Sequence, residues 1–292
     1  MIQRAPTVFG HELAGVVAEV GPEVATVSLG DRVVVANSAP CNRCFFCELD
    51  RHSLCENIEF FNGAYAEYVV VPRRIVEQNV LRIPEHVTFR QAALVEPLAC
   101  VVHGVEESAI KLGDTVAVIG AGPIGLMLVR LSKLKGARVV AVDKVAGRLE
   151  KARQMGADDI VDASVVHDVV AAVKSLTRGG YGVDVAIEAA GVPGLWEMAI
   201  AMARKGGLVN LFGGCESGTS IRVETGRLHY GELRIIGVFH HTPNYVRRAL
   251  ALIASGAIDA DSLITHEMEL SRLEEALNLV ASGEALKVAI VP

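Results

Sequence analysis

The chain has 292 residues, enough for two domains each with its own core, and with 51% hydrophobic and 21% charged residues and a mean hydropathy of +0.37 it is neither disordered nor fibrous. Its formal net charge of −6, from 28 basic and 34 acidic residues with no basic stripe, argues against electrostatic binding of nucleic acid. No apolar run approaches the roughly eighteen residues of a membrane helix, and the opening MIQRAPTVFG lacks a signal-peptide core, so the expected compartment is the cytoplasm, with no membrane partner.

The first third of the chain carries short β-like runs at 14–20, 31–37 and 65–72, separated by Gly, Pro and Asp, the pattern of an antiparallel β domain. Gly10-His11-Glu12 precedes the first run. Between the second and third lies Cys41-x2-Cys44-x2-Cys47-x7-Cys55, four of the six cysteines of the chain in one short segment. A secreted disulfide framework would spread its cysteines through a much shorter chain, whereas four clustered thiolates suit a closed tetrahedral zinc site. Four protein ligands leave no position for substrate, so this ion is expected to be structural, stapling the loop and contributing folding energy. The other two cysteines, Cys100 and Cys215, stand alone and are read as small residues without a metal.

Residues 85–113 form the expected domain junction, and within them Val95-Glu96-Pro97-Leu98-Ala99-Cys100 is the second segment that can supply a ligand. His11 and Glu12 or Glu96 persuade only in combination: one imidazole and one or two carboxylates could hold Zn2+ with an open position. An alcohol oxygen taken up there would be favoured as the alkoxide at neutral pH. His103 is read as a hydrogen-bonded junction histidine.

From about Lys111 the pattern changes to apolar strand, glycine turn and amphipathic helix, repeated. Strands are predicted at 115–119, 138–143, 159–161, 183–187, 208–212 and 235–239, with helices at 123–135, 147–155, 166–176 and 194–203. Six such strands make a doubly wound parallel sheet. Gly120-Ala-Gly122-Pro123-Ile124-Gly125 follows the first strand and opens the first helix, which is the context a pyrophosphate-binding loop requires. Gly120 permits the tight turn, Gly122 lets the backbone approach the pyrophosphate, and Gly125 allows helix and strand to pack closely. Asp143, at the end of the second strand, is placed to accept the ribose hydroxyls and repel a 2′-phosphate, favouring NAD over NADP; Lys144 weakens that preference. Glu188, Gly191, Gly213 and Gly214 end later strands and read either as turn residues or as cofactor contacts. His240-His241 follow the last strand and either contact cofactor or substrate or simply end that strand before Pro243. Helices at 244–254 and 271–281 and a closing strand-like KVAIVP complete the chain.

With GHE, the four-cysteine loop, EPLAC, GAGPIG and Asp143 in that order, the chain resembles the zinc-dependent medium-chain alcohol dehydrogenases, most of all the sorbitol, polyol and threonine dehydrogenase branches. The resemblance runs from about Pro6 to Pro292. It implies an α/β fold in which a GroES-like β domain (1–110) carries both zincs. A Rossmann domain (111–242) binds NAD, and 243–292 returns to the catalytic domain. It also implies His11 as a catalytic zinc ligand, Glu12 and Glu96 in or near the same shell, an alcohol or polyol substrate, and a homo-dimer or homo-tetramer. In the family a further cysteine ligand, in a Gly-x-Cys-Gly-[ST]-Asp segment, stands well upstream of GHE; here GHE begins at Gly10. The β domain is therefore expected to be N-terminally truncated relative to that pattern, and this chain to turn over poorly. The alternative is a non-catalytic nicotinamide-binding remnant with a structural zinc only, which metal analysis separates from an enzyme carrying two zincs.

Overall fold

A computed structural model describes residues 8–292; residues 1–7, which supply most of the opening stretch read for a leader, lie outside the described residues. In chain order the elements are β1 (Leu13–Val16), β2 (Arg32–Val35), β3 (Ser38–Ala39), α1 (Phe45–Glu48), β4 (Glu59–Phe60), α2 (Arg73–Asn79), β5 (Val80–Arg82), α3 (Phe89–Ala92) and α4 (Val95–Glu107). Then follow β6 (Thr115–Ile119), α5 (Pro123–Leu134), β7 (Arg138–Asp143), α6 (Ala146–Gln154), β8 (Asp159–Asp162), α7 (Val169–Ser175), β9 (Val183–Glu188), α8 (Pro193–Met202), β10 (Ala203–Leu211), α9 (Thr225–His229) and β11 (Arg234–Gly237). The chain closes with α10 (Pro243–Ala254), β12 (His266–Glu269), α11 (Leu273–Ser282) and β13 (Val288–Val291). It divides into two compact units, one comprising the residues up to Cys100 together with His240–Pro292, the other Val101–Phe239.

The first unit is built on an antiparallel sheet β1-β2-β5, in which Leu13 faces Val35 and Val33 faces Arg82. β3 pairs with β4, and β12 with β13. Val35, Ala39, Phe61 and Ile75 form a small core beneath the sheet. Residues 65–72, expected as a strand, are not one. Their in-out alternation is real: Val69 and Val71 pack on that core while Tyr68 and Val70 are 79% and 92% exposed. Alternation reports which side chains are buried, and a strand needs in addition a neighbour to complete its backbone ladder.

The second unit is a six-stranded parallel sheet in the order β11-β10-β9-β6-β7-β8. Counting its strands in sequence, this is 6-5-4-1-2-3, the doubly wound arrangement whose direction reverses beside its first strand. The near-continuous apolar runs TVAVI and RVVAVD suit strands covered on both faces. Their side chains, including Ala117, Ile119, Val140 and Val142, join Val173, Ala199 and Met202 from the helices in one core. No helix among the described residues is long and apolar enough to cross a membrane.

Candidate functional site

The four cysteines are brought together. Their sulfur atoms all lie within 4.8 Å of one another, with Cys44 Sγ 3.6 Å from Cys47 Sγ and 3.9 Å from Cys55 Sγ. These separations are far beyond a disulfide bond and close to the edge, about 3.8 Å, of a tetrahedron with zinc–sulfur bonds of 2.3 Å. Local turns fold the segment around its centre: Asn42 and Asp50 adopt left-handed backbone conformations, which these residue types tolerate, and the Cys41 N–H donates to Cys55 Sγ at 3.2 Å. The thiols are electrostatically unequal. Backbone N–H groups, that of Cys47 foremost, pull Cys44 down to about 6 against the opposing effect of burial, while burial and the neighbouring thiols push Cys47 up to about 12. A divalent cation is what allows four adjacent sulfurs to be thiolates at once, so the donor set fits zinc.

The second cluster centres on Glu96, in the first turn of α4 and 5% exposed. Its Oε2 lies 3.8 Å from His11 Nε2, and its Oε1 lies 3.4 Å from His241 Nε2. Two triads capable of holding a metal share it: His11, Glu12 and Glu96 on one hand, and Glu96, His240 and His241 on the other, each with ligand atoms within 4.8 Å of one another. Burial opposes ionisation of Glu96, but hydrogen bonding and attraction from His241, with His11 and His240 adding to it, outweigh that cost and hold its carboxyl below the usual value. Cys100 Sγ stands 3.8 Å from Glu96 Oε1. Desolvation and the Glu96 charge push this thiol well up, keeping it a neutral donor and outside both triads.

The backbone explains how His11 and Glu12 arrive there. Gly10 has φ +83°, and a Cβ on it would lie 2.7 Å from the Tyr65 ring. Its carbonyl accepts from Gly63 and Ala64 N–H, fixing the entry to β1. Glu12 is paired with Lys287. On the other side, Asn37 and Ser38, both buried at the end of β2 and the start of β3, reach the two histidines: Asn37 Oδ1 is 3.2 Å from His241 Nε2 and Ser38 Oγ is 2.6 Å from His240 Nε2. Asn79 Nδ2 donates to the Ser38 carbonyl and anchors that stretch. The sequence offered His240-His241 only as a possible cofactor or substrate contact. The sole signal for more was the doubled imidazole, since Asn37 and Glu96 are distant in sequence.

In the second unit the glycine loop joins β6 to α5. Gly120 has φ +94°, a Cβ on Gly125 would lie 1.8 Å from the Gly120 carbonyl oxygen, and a Cβ on Gly122 would meet nothing within 4 Å. Gly122 caps α5 without a side chain, and Pro123 and Ile124 begin it. The first-turn N–H groups therefore depend on an outside acceptor, and this open cradle fits a pyrophosphate. Asp143 is buried at the end of β7, its Oδ2 accepting from Ala121 N–H at 2.6 Å and its Oδ1 from Val145 N–H at 2.9 Å. It thus ties the glycine loop to the next strand, while Lys144 is exposed. Glu188, fully buried, accepts from Ala190 and Gly191 N–H, and Gly191 packs backbone to backbone on Gly213 and Gly214. These residues hold the strand ends together. His103 is buried in α4 and belongs to neither metal triad.

Residues 123–255 match the family described as zinc-binding dehydrogenase, and residues 1–85 match the alcohol dehydrogenase GroES-like domain. The sorbitol dehydrogenase of Bacillus subtilis (strain 168) is 32% identical over 299 residues, covering 100% of this chain and 82% of the relative. A Sinorhizobium meliloti 1021 protein described as a zinc-binding dehydrogenase and solved with NADP bound superposes with a TM-score of 0.91 at 35% identity, over 99% of this chain and 84% of that one. The 2R,3R-butanediol dehydrogenase of Bacillus subtilis gives 0.86 at 32% identity, over 99% and 82%.

Proposed function

Since this chain belongs to the zinc-dependent medium-chain alcohol dehydrogenases, enzymes that use Zn2+ and a nicotinamide cofactor, we propose that it transfers a hydride between NAD and a secondary alcohol on a polyol, sugar or hydroxy amino acid. The observation that carries this reading is the buried Glu96 carboxylate, kept ionised among imidazoles. Imidazoles that bind a metal are neutral, so a divalent cation would then balance the buried carboxylate in place of their protons. His11, Glu12 and Glu96 are the proposed catalytic-metal residues, Cys41, Cys44, Cys47 and Cys55 the structural-zinc ligands, and Gly120, Gly122, Pro123, Ile124, Gly125 and Asp143 the dinucleotide contacts.

When bound, the zinc supplies Lewis-acid stabilisation of the alcohol oxygen and the dinucleotide supplies the hydride acceptor. The rest is the work of the chain's own residues. Glu96 is 5% exposed, and so dry a setting strengthens every charge interaction there. The Asp143 carboxyl group stands at the strand end, a position that opposes a 2′-phosphate and favours NAD. The proposed assembly is a homo-dimer or homo-tetramer acting in the cytoplasm.

The test is initial-rate nicotinamide reduction by the zinc-loaded chain with sorbitol, 2,3-butanediol and threonine, using NAD and NADP in parallel. Reduction of the cofactor with at least one of the three alcohols is the expected result. No reduction with any secondary alcohol, at two zincs per chain, would sink the reaction class.

A further inference from the structure

The two oxygens of the Glu96 carboxylate have different neighbours. Oε2 lies 3.8 Å from His11 Nε2, whereas Oε1 faces His241 Nε2 at 3.4 Å and the Cys100 thiol at 3.8 Å. We infer that His241 is a positioning residue for the metal centre: backed by Asn37, it holds Glu96 Oε1 and leaves Oε2 as the carboxylate oxygen offered to an ion beside His11. The inference rests on the zinc-dependent reading above and deepens it, since it says how one proposed ligand is aimed and keeps His240 and His241 outside the coordination shell.

Hydrogen-bond accounting at the ring carries the argument. A neutral imidazole has one N–H and one bare nitrogen. His241 Nε2 stands between two oxygen acceptors, Glu96 Oε1 at 3.4 Å and Asn37 Oδ1 at 3.2 Å, so the proton belongs on Nε2, shared between them. Nδ1 is buried with no hydrogen-bond partner. A proton on Nδ1 would be an orphaned donor, and its absence leaves only a lone pair unmet. Ligation through Nε2 would strip that proton and set a bare nitrogen against the Asn37 oxygen. The ring is therefore arranged to donate to the carboxylate, as outer partners of a metal-ligating group do.

The surroundings make the donor rigid. The His241 side chain is completely buried, whereas that of His11 is 44% exposed. His240, with φ +62°, adopts a conformation uncommon for a residue with a side chain, and its ring lies 4.0 Å from that of His241, centroid to centroid. Ser38 Oγ meets His240 Nε2 at 2.6 Å, and Asn79 Nδ2 donates to the Ser38 carbonyl. A glutamate held at one oxygen by so fixed a partner loses the torsional freedom to turn both oxygens to an ion. Single-oxygen binding has a chemical use: it spares a coordination position for the alcohol oxygen, which a catalytic zinc must keep open.

The test uses the full chain labelled with 15N-histidine, stripped of metal and reloaded with 113Cd2+, with bound metal counted by elemental analysis. Two ions per chain are expected, the second coupled to one imidazole, that of His11, as its loss in His11→Gln identifies. His241→Phe fills the same slot without either nitrogen. In chelator competition its second ion should be weakened by roughly 10–100-fold, as loss of an outer partner does, and the 113Cd resonance of that ion should move because Oε1 is freed; the cysteine-bound ion should keep both affinity and resonance. His241→Gln restores an N–H donor and should regain most of the affinity and the original resonance, which a residue that only fills space would not show. An unchanged circular dichroism spectrum reports that each variant is folded, and the coupling pattern of the unsubstituted chain decides the matter if His241→Phe is not. Coupling to His241 in that chain, or a second ion bound equally well in folded His241→Phe, would overturn this inference and leave the zinc-dependent reading intact. A single bound ion, in the cysteine loop, would overturn both.

Discussion

The cysteine loop and the Glu96 cluster lie in the same structural unit, yet they are assembled by opposite means. All four cysteine ligands come from residues 41–55, a segment whose own turns bring the sulfurs to tetrahedral spacing. The Glu96 cluster draws on the start of β1, the first turn of α4 and the residues before α10, with Asn37 and Ser38 lying 204 and 202 positions from the histidines they orient. A local site binds its ion by ordering one loop, so its metal stabilises that loop. A site gathered from distant segments exists only when the whole unit is folded; its metal finds the scaffold already present and can keep an open coordination position.

The largest expected effect follows directly. Structural zinc in small domains contributes about 10–16 kcal/mol of apparent binding free energy, so stripping the metal should unfold the cysteine segment. Limited proteolysis should then cut within residues 40–58 while the parallel sheet of the second unit stays protected. Equal resistance with and without chelator would break the comparison, since the loop would then hold its shape without an ion.

Glu96→Gln probes the other side. The amide keeps the shape of the side chain but removes the charge, so the second ion should be lost and the cysteine-bound ion kept. If the metal supplies several kcal/mol of transition-state stabilisation, nicotinamide reduction falls about a thousandfold or more. Thermal stability should change little, because a buried carboxylate is replaced by a neutral group. A large drop in melting temperature with the second ion retained would show that Glu96 serves packing and not metal binding.

The same contrast between local and assembled features governs what the sequence made readable. Thr115–Ile119 and Arg138–Asp143 are strands over the residues expected, because a strand covered on both faces is an apolar run bounded by turns. The glycine loop and the four cysteines were legible for a similar reason: each is complete within a short stretch. Residues 65–72 misled because they satisfy the burial alternation of a strand without its backbone partner. The helix Arg73–Asn79 went unread since seven residues after a proline show too few turns for a period to emerge. His240 and His241 became interpretable only when the fold brought Glu96, Asn37 and Ser38 to them, proximity that no spacing in the sequence encodes.

Gly125→Ala is expected to act at an intermediate level and in the other unit. The new methyl would sit 1.8 Å from the Gly120 carbonyl oxygen, which cannot be relieved without moving the loop or the start of α5. Overpacking of this kind costs about 1–3 kcal/mol, and the displaced N–H groups should weaken dinucleotide binding by roughly 10–100-fold, each 1.4 kcal/mol being a factor of ten. Isothermal titration with NADH measures this, while both metal contents should stay as they are. Loss of either metal would mean that the sites are less separable than their local construction implies.

Lys287→Ala should have the smallest effect and is the finest probe of how Glu12 stands to the ion at Glu96. Lys287 and Glu12 are 26% and 27% exposed in their side chains. An ion pair so close to solvent is worth about 0–1 kcal/mol, and its loss should lower the melting temperature only slightly. The informative readout is the affinity of the second ion. If Glu12 were a principal ligand, freeing it from the competing ammonium would tighten binding. If Glu12 only borders the coordination shell, its carboxylate is freed beside the site and affinity moves little, the residual change being a long-range attraction that added salt screens. Chelator competition at low and high ionic strength separates the two: a gain that persists at high salt assigns Glu12 to the coordination shell, and a gain that disappears leaves it outside.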